Sequence, residues 1–209
     1  MRYLLILYVG LLSSYSFGQG FQGKFIAGFN AAQIDGDREW GYNKFGFLGG
    51  GAACFPFSKK LGLQLEIVYS GKGAASASVN RAFLDTRLHY IDFPLILNIK
   101  IKPRITIQPG VNTGYFLSGR MDNTGFGYYL NLDNYIKRYD IALCLGGEFA
   151  LDDRWAINAR FNYSAISIEK PIFFSTNRNV FPYGGWSNNF ITFSLRYTFL
   201  NPPADLLKK

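Results

Sequence analysis

Asp35, Asp37 and Glu39 stand two residues apart, a spacing at which loop carboxylates can converge on a calcium ion. Such a loop needs glycine at its sixth position and glutamate at its twelfth. Trp40 holds the sixth and no glutamate follows, so the segment reads as turn chemistry at a strand end. His89, the single histidine, could act as a base in hydrolysing a lipid headgroup, with Ser76 or Ser78 as nucleophile. Nothing in the sequence fixes that geometry, so no catalytic residue, cofactor or metal site is assigned. The third set is larger: Lys24, Glu66, Asp92, Lys100, Arg138, Asp140, Glu148, Arg160 and Arg196. Each falls on the polar parity of an alternating segment. Charges buried together must be paired and hydrogen-bonded. They predict a packed lumen network or, on the sharper reading, a gated ion path. Glu148 and Arg160 flank a short turn and are candidate diagonal neighbours.

The elements that must hold these charges alternate with period two. From Ile91 every second residue is Ile91, Phe93, Leu95, Leu97, Ile99 and Ile101, with Asp92, Pro94, Ile96, Asn98 and Lys100 between. After Lys102-Pro103-Arg104 the alternation resumes, so residues 88–118 read as a hairpin with one apolar face. The same pattern recurs at residues 21–32, 44–57, 61–70, 136–150, 155–164 and 191–199. Each arm is long enough to cross a bilayer as a tilted strand, which takes about 9–11 residues. Three short turns, near residues 58–60, 102–104 and 151–154, alternate with four long loops. That asymmetry predicts an all-β, eight-stranded antiparallel up-and-down transmembrane β-barrel with short periplasmic turns and long extracellular loops. Facing residues of a hairpin share a face, so the third turn should hold three or five residues. Cys54 and Cys144 lie on the inner parity and read as free small fillers.

A soluble barrel also alternates, and the less apolar face discriminates. Here it is heavy in Gly, Ala, Ser, Asn and Gln with isolated charges, which suits a crowded interior. The other parity carries Phe, Leu and Ile, which suit lipid, with Tyr and Trp near strand ends for the interfacial girdles. Pro56, Pro94 and Pro109 predict bulges or a locally opened ladder near the latter two.

Of the 209 residues only 17% are charged and 18% are aromatic, a balance fitting a surface that meets lipid. The net charge of +8 is spread without a basic block, so nucleic acid is not an expected partner. Arg2, the apolar run of residues 3–12 and Ser16-Phe17-Gly18 predict a signal peptide over residues 1–18, cleaved between Gly18 and Gln19. The barrel is then expected over residues 19–200, followed by a periplasmic tail of residues 201–209 opened by Pro202-Pro203.

Several segments stand out beyond their alternation: Ala27-Gly28-Phe29-Asn30 with Ile34-Asp35-Gly36-Asp37, and Leu63-Gln64-Leu65-Glu66-Ile67-Val68-Tyr69-Ser70 with Gly71-Lys72-Gly73. Tyr90-Ile91-Asp92-Phe93-Pro94-Leu95, Pro109-Gly110-Val111-Asn112-Thr113-Gly114-Tyr115, Ala159-Arg160-Phe161-Asn162-Tyr163 and Leu195-Arg196-Tyr197-Thr198-Phe199 complete the set. In these segments the chain resembles the PorT-like family of small outer-membrane β-barrel proteins. The resemblance implies a barrel in the bacterial outer membrane, accommodates Pro94 and implies no catalytic residues. One member assists protein secretion, and no motif here carries that role over. The expected function is non-enzymatic: a plugged barrel serving envelope structure or partner binding through its loops. The alternatives are a narrow porin-like channel or an accessory component of a protein-secretion system. Expected partners are outer-membrane lipid, lipopolysaccharide and a protein at the aromatic loops, where Trp40, Tyr42, Phe83, Phe126, Tyr128, Tyr129, Phe173, Phe174, Tyr183 and Trp186 gather. Lys59, Lys60, Lys102, Arg104 and Arg154 fall at the periplasmic end, where they could meet lipid phosphates.

Overall fold

The computed structural model is described for residues 21–37, 41–76, 84–170 and 185–200. Its eight long strands are β1 (Gln22–Asp35), β2 (Lys44–Pro56), β3 (Leu61–Ala75), β4 (Asp85–Lys102), β5 (Ile105–Asp122), β6 (Tyr139–Ala150), β7 (Trp155–Ser164) and β8 (Ser187–Leu200). Each pairs antiparallel with the next, and β8 returns to pair with β1 from Gly23↔Leu200 to Asp35↔Ser187. Closure gives every strand two neighbours and removes the free edges that promote aggregation. A two-residue ribbon, Leu130–Asn131, adds to the far end of β5.

Alternation in sequence becomes alternation in space. Leu65, Leu97 and Phe161 point outward and are 44%, 38% and 43% exposed, whereas their neighbours Gln64 and Ile96 are fully buried. The apolar parity therefore lies outside and the mixed polar parity inside, the reverse of a soluble barrel. Aromatic pairs tile the outer wall: Phe25 stacks on Phe199 at 4.5 Å, and Phe29 meets Phe193 at 5.5 Å and Phe45 at 5.9 Å.

The turns keep faces together. Ala150 pairs with Ala156, leaving five residues between them, one of the odd lengths the face rule requires. The turn near Pro103 differs from expectation. Lys100↔Thr106 is followed by a register shift to Lys102↔Ile105, so a bulge absorbs the odd residue and Pro103-Arg104 make a two-residue turn. The ladder opens at both wall prolines. Pairing between β3 and β4 passes from Leu65↔Leu95 to Val68↔Asp92, skipping Pro94, while Pro94↔Asn112 is kept on the other side. Pro109 is skipped between Ile96↔Gly110 and Ile99↔Ile107 but stays opposite Leu145. A missing N–H thus interrupts one side of the ladder without shifting register.

Boundaries at the loop end need correction. β3, β4 and β5 run to Ala75, from Asp85 and to Asp122, several residues beyond the apolar alternation that marked them. β6 begins at Tyr139 rather than Ile136, because the Ile136 side chain is buried in the barrel mouth and its backbone forms an isolated antiparallel bridge with Glu169 instead of joining the wall. Loop-end segments close on one another there. Leu132 N–H donates to Gly119 O at 2.8 Å, Lys137 N–H to Ile168 O at 2.7 Å and Ile168 N–H to Trp186 O at 2.8 Å.

Gly73 in extended β3 has φ +142°, and a Cβ there would lie 2.0 Å from Thr86 O. Replacing Gly73 by Ala is expected to lower stability by roughly 1–3 kcal/mol through backbone strain, with the clash added. Urea unfolding in micelles would show it as a lowered midpoint; an unchanged midpoint would mean that this strand end shifts freely.

Candidate functional site

Charged side chains converge in the lumen. Its central layer is built around two glutamates. Glu66 on β3 accepts from Arg160 Nη1 and Nη2 on β7 at 3.0 and 2.8 Å, the two-pronged geometry that suits guanidinium and carboxylate. Arg196 Nη2 on β8 adds a third contact at 3.1 Å, and Gln64 Nε2 donates at 2.6 Å. Arg196 Nη1 reaches Glu148 at 3.1 Å, and Glu148 also accepts from Lys24 Nζ at 2.9 Å. Uncharged amides join the two halves: Gln108 Oε1 accepts from Asn158 Nδ2 at 2.8 Å and from Arg160 Nη2 at 3.2 Å. The expected Glu148–Arg160 diagonal is replaced by these partners, because long side chains in a closed barrel reach across the lumen instead of along one hairpin.

A second layer nearer the loop end centres on Lys72, which the sequence reading left out. Its Nζ lies 2.9 Å from Asp92 and 3.8 Å from Asp140, over the rings of Tyr90 at 4.4 Å and Phe190 at 4.5 Å. Asp140 also accepts from Ser164 at 2.7 Å and from Asn188 at 2.9 Å. Gly114, opposite Asp92, makes room: a Cβ there would sit 2.7 Å from the Asp92 carboxylate. Lys72 keeps the inward parity of Gln64 and Glu66, and it lies in the part of β3 that continues past Ser70, where the apolar alternation stops. The four buried cations Lys24, Lys72, Arg160 and Arg196 thus face four carboxylates, Glu66, Asp92, Asp140 and Glu148. The set is charge-balanced.

Two of the nine sequence-selected charges stand apart. Lys100 is exposed at the turn-end mouth, and Arg138 is exposed just before β6, its guanidinium making a 3.5 Å contact with Phe116 O. Both lie where the wall gives way to turn or loop, so parity no longer buries them. Beyond Lys72 the interior turns apolar. Ile34, Leu88, Tyr90, Phe116, Met121, Leu132, Ile136, Ile168 and Trp186 form a buried cluster across the loop end, with Ala74. Trp186, expected on a loop surface, is part of it. At the turn end a recess of about 500 Å³ opens outward and reaches Lys24 and Glu148, with Cys54, Lys60 and Lys100 on its walls. Cys54 and Cys144 are free and buried.

The sequence matches the family described as outer membrane protein beta-barrel domain over residues 7–169. The chain belongs to that family. Among solved structures, the attachment invasion locus protein Ail of Yersinia pestis is similar at 12% identity, covering 87% of this chain and 99% of Ail with a TM-score of 0.53. Ail in complex with the heparin analogue sucrose octasulfate gives 12% identity, 87% and 99% coverage and a TM-score of 0.51. Neisserial surface protein A gives 13% identity, 86% and 97% coverage and a TM-score of 0.48. A search of curated protein sequences finds no significant match. This outer-membrane barrel therefore sits in the bacterial outer membrane, with its short turns periplasmic and its long loops extracellular.

On the barrel's outer surface, Trp155 and Tyr197 pack at 4.8 Å near the periplasmic end, and Arg154 Nη1 donates to Tyr197 at 3.2 Å. Lys59, Lys60, Lys102, Arg104 and Arg154 are all exposed at that end. In the third turn Asp152 accepts the N–H groups of Arg154 and Trp155, and these bonds hold its carboxyl below the usual range. At the extracellular end Phe126 and Tyr128 are strongly exposed, while Tyr42 donates to Asn189 at 2.8 Å. Partial burial, then the nearby Asp35 carboxylate, raise the Tyr42 pKa. Trp40, Phe83, Phe173, Phe174 and Tyr183 lie outside the described residues, as do Glu39, Ser78, Gly18 and Gln19.

The hydrolytic arrangement is not assembled by the described residues. His89 points outward and shares a 2.6 Å hydrogen bond with Tyr69, while Ser76 Oγ accepts from Leu84 N–H. Among the described residues no three His, Cys, Asp or Glu side chains could hold a metal ion.

Proposed function

We propose that this barrel is a non-enzymatic, non-conducting outer-membrane protein whose plugged lumen stiffens a platform and whose extracellular surface meets the envelope or a partner. The observation that carries it is the two-tier interior. Eight paired charges span the middle, and an apolar cluster lies above them. An ion would have to break charge-assisted bonds and then cross a layer that cannot solvate it. An eight-stranded barrel is just wide enough for its own side chains to fill.

The narrow-channel reading keeps one supporting observation, the periplasmic recess that reaches Lys24 and Glu148. A part in secretion rests on the PorT-like resemblance, and export lost in a deletion strain would support it. Planar-bilayer recording of the purified protein separates plug from channel. No reproducible conductance steps are expected from the native protein. Ohmic steps that vanish on replacing Arg160 would establish the channel instead.

A further inference from the structure

The register shift near the extracellular end of β4 and β5 has a consequence for the outer wall. Pairing passes from His89↔Ser118 to Tyr90↔Phe116, so β5 carries one extra residue there. Beyond it Ser118 and Arg120 are exposed, while Gly119 and Met121 are buried. An even-numbered arginine that strict alternation would send into the lumen is thereby turned outward. It lands directly opposite Arg87.

Like charges facing each other across a ladder are destabilising unless something compensates them. Both guanidinium groups lie over the ring of Tyr129, at 5.3 Å for Arg87 and 4.7 Å for Arg120. The carboxylate beside Arg87, Asp85, is already engaged. It pairs with Lys44 and accepts from Arg87 Nε and Nη2 at 2.9 and 2.6 Å. Arg120 has no carboxylate among the described residues. Lys44 and Arg87 take up Asp85, and Asp122 opposite it accepts from the N–H groups of Thr124, Gly125 and Gly127, so neither carboxylate pairs with Arg120. Beside them His89, Ser118, Arg120, Asn131 and Asp133 line a surface recess of about 500 Å³. The Asp133 carboxylate there is occupied by Gly119 N–H at 3.1 Å and Asn131 Nδ2 at 3.4 Å.

The height of this cluster suggests its partner. Tyr69, Tyr115 and Tyr139 ring the outer wall, with Tyr115 and Tyr139 packed edge to face at 5.6 Å. Counting up β4 from Ile101, about ten residues cross the hydrocarbon to Ile91, the length a tilted strand needs. His89 and Arg87 lie two and four residues farther out, at headgroup level.

We propose that Arg87, Arg120 and Tyr129 form a docking site for the headgroup phosphate of an outer-leaflet lipid. This deepens the envelope-contact reading above, rests on it, and is independent of whether the lumen conducts. The test titrates the full-length barrel in micelles with bisphosphorylated lipid A, with enzymatically dephosphorylated lipid A and with inorganic phosphate, read by native mass spectrometry. The native barrel should favour the phosphorylated lipid by roughly tenfold or more, the effect of one charge-assisted hydrogen bond. The preference should vanish in Arg87→Gln/Arg120→Gln and persist in Arg104→Gln at the periplasmic end. Equal binding of the two lipids by the native barrel would overturn the site. So would a preference surviving in the folded double variant, or saturation by inorganic phosphate at the same concentrations. If the double variant lacks the heat-modifiable mobility of a folded barrel, Arg120→Gln alone carries the comparison. A failed titration with silent bilayers removes only this site, whereas conductance steps remove the plug.

Discussion

Replacing Glu66 by Ala is expected to destabilise the barrel by about 3–5 kcal/mol, the range for removing one partner of a buried ion pair. The reason is local. Arg160 and Arg196 both direct guanidinium nitrogens at this carboxylate, at 2.8 and 3.1 Å, and both are almost fully buried. Without it two cations are left facing each other, with Glu148 in reach of Arg196 alone. Urea unfolding in micelles, followed by heat-modifiable mobility, would read the loss. Glu66→Gln should lie between native and Ala, because the amide oxygen still accepts a bond. A Glu66→Ala barrel as stable as native would show that the central layer contributes shape and not electrostatic cohesion.

The second large effect concerns Lys72. Lys72→Met removes the cation between Asp92 and Asp140 and leaves two buried carboxylates facing the same space. The loss should again be about 3–5 kcal/mol. Neutralising the orphans in Lys72→Met/Asp92→Asn/Asp140→Asn should recover much of it, since a neutral polar cluster has no unpaired charge to bury. After Asp140→Asn the amide oxygen can still accept from Ser164, while its NH2 would have to donate to a turned Asn188 amide, from which the carboxylate accepts. A triple variant no more stable than the single one would place the effect in lost packing against Tyr90 and Phe190.

The wall was legible because its information is local. Period-two alternation in stretches such as residues 61–70 and 91–101 states which side chains share a face, and short turns state which strands are neighbours. The same parity picked seven of the eight members of the buried network: Lys24, Glu66, Asp92, Asp140, Glu148, Arg160 and Arg196. Lys72 was missed, with Lys100 and Arg138 wrongly grouped, for one reason: each stands near a strand boundary, and alternation does not say where a strand stops. The bulge that turns Arg120 outward is likewise silent in the letters.

By itself, then, the sequence determined an eight-stranded barrel, its lipid-facing parity, its location and most of its inner charges. All of these follow from spacing along one chain. Which carboxylate meets which cation, how the extracellular mouth closes, and where Arg120 points were decided by the tertiary structure. Those outcomes depend on register between strands and on reach across the lumen. Glu66 and Arg160 are 94 positions apart, and only closure of the sheet brings them within hydrogen-bonding distance.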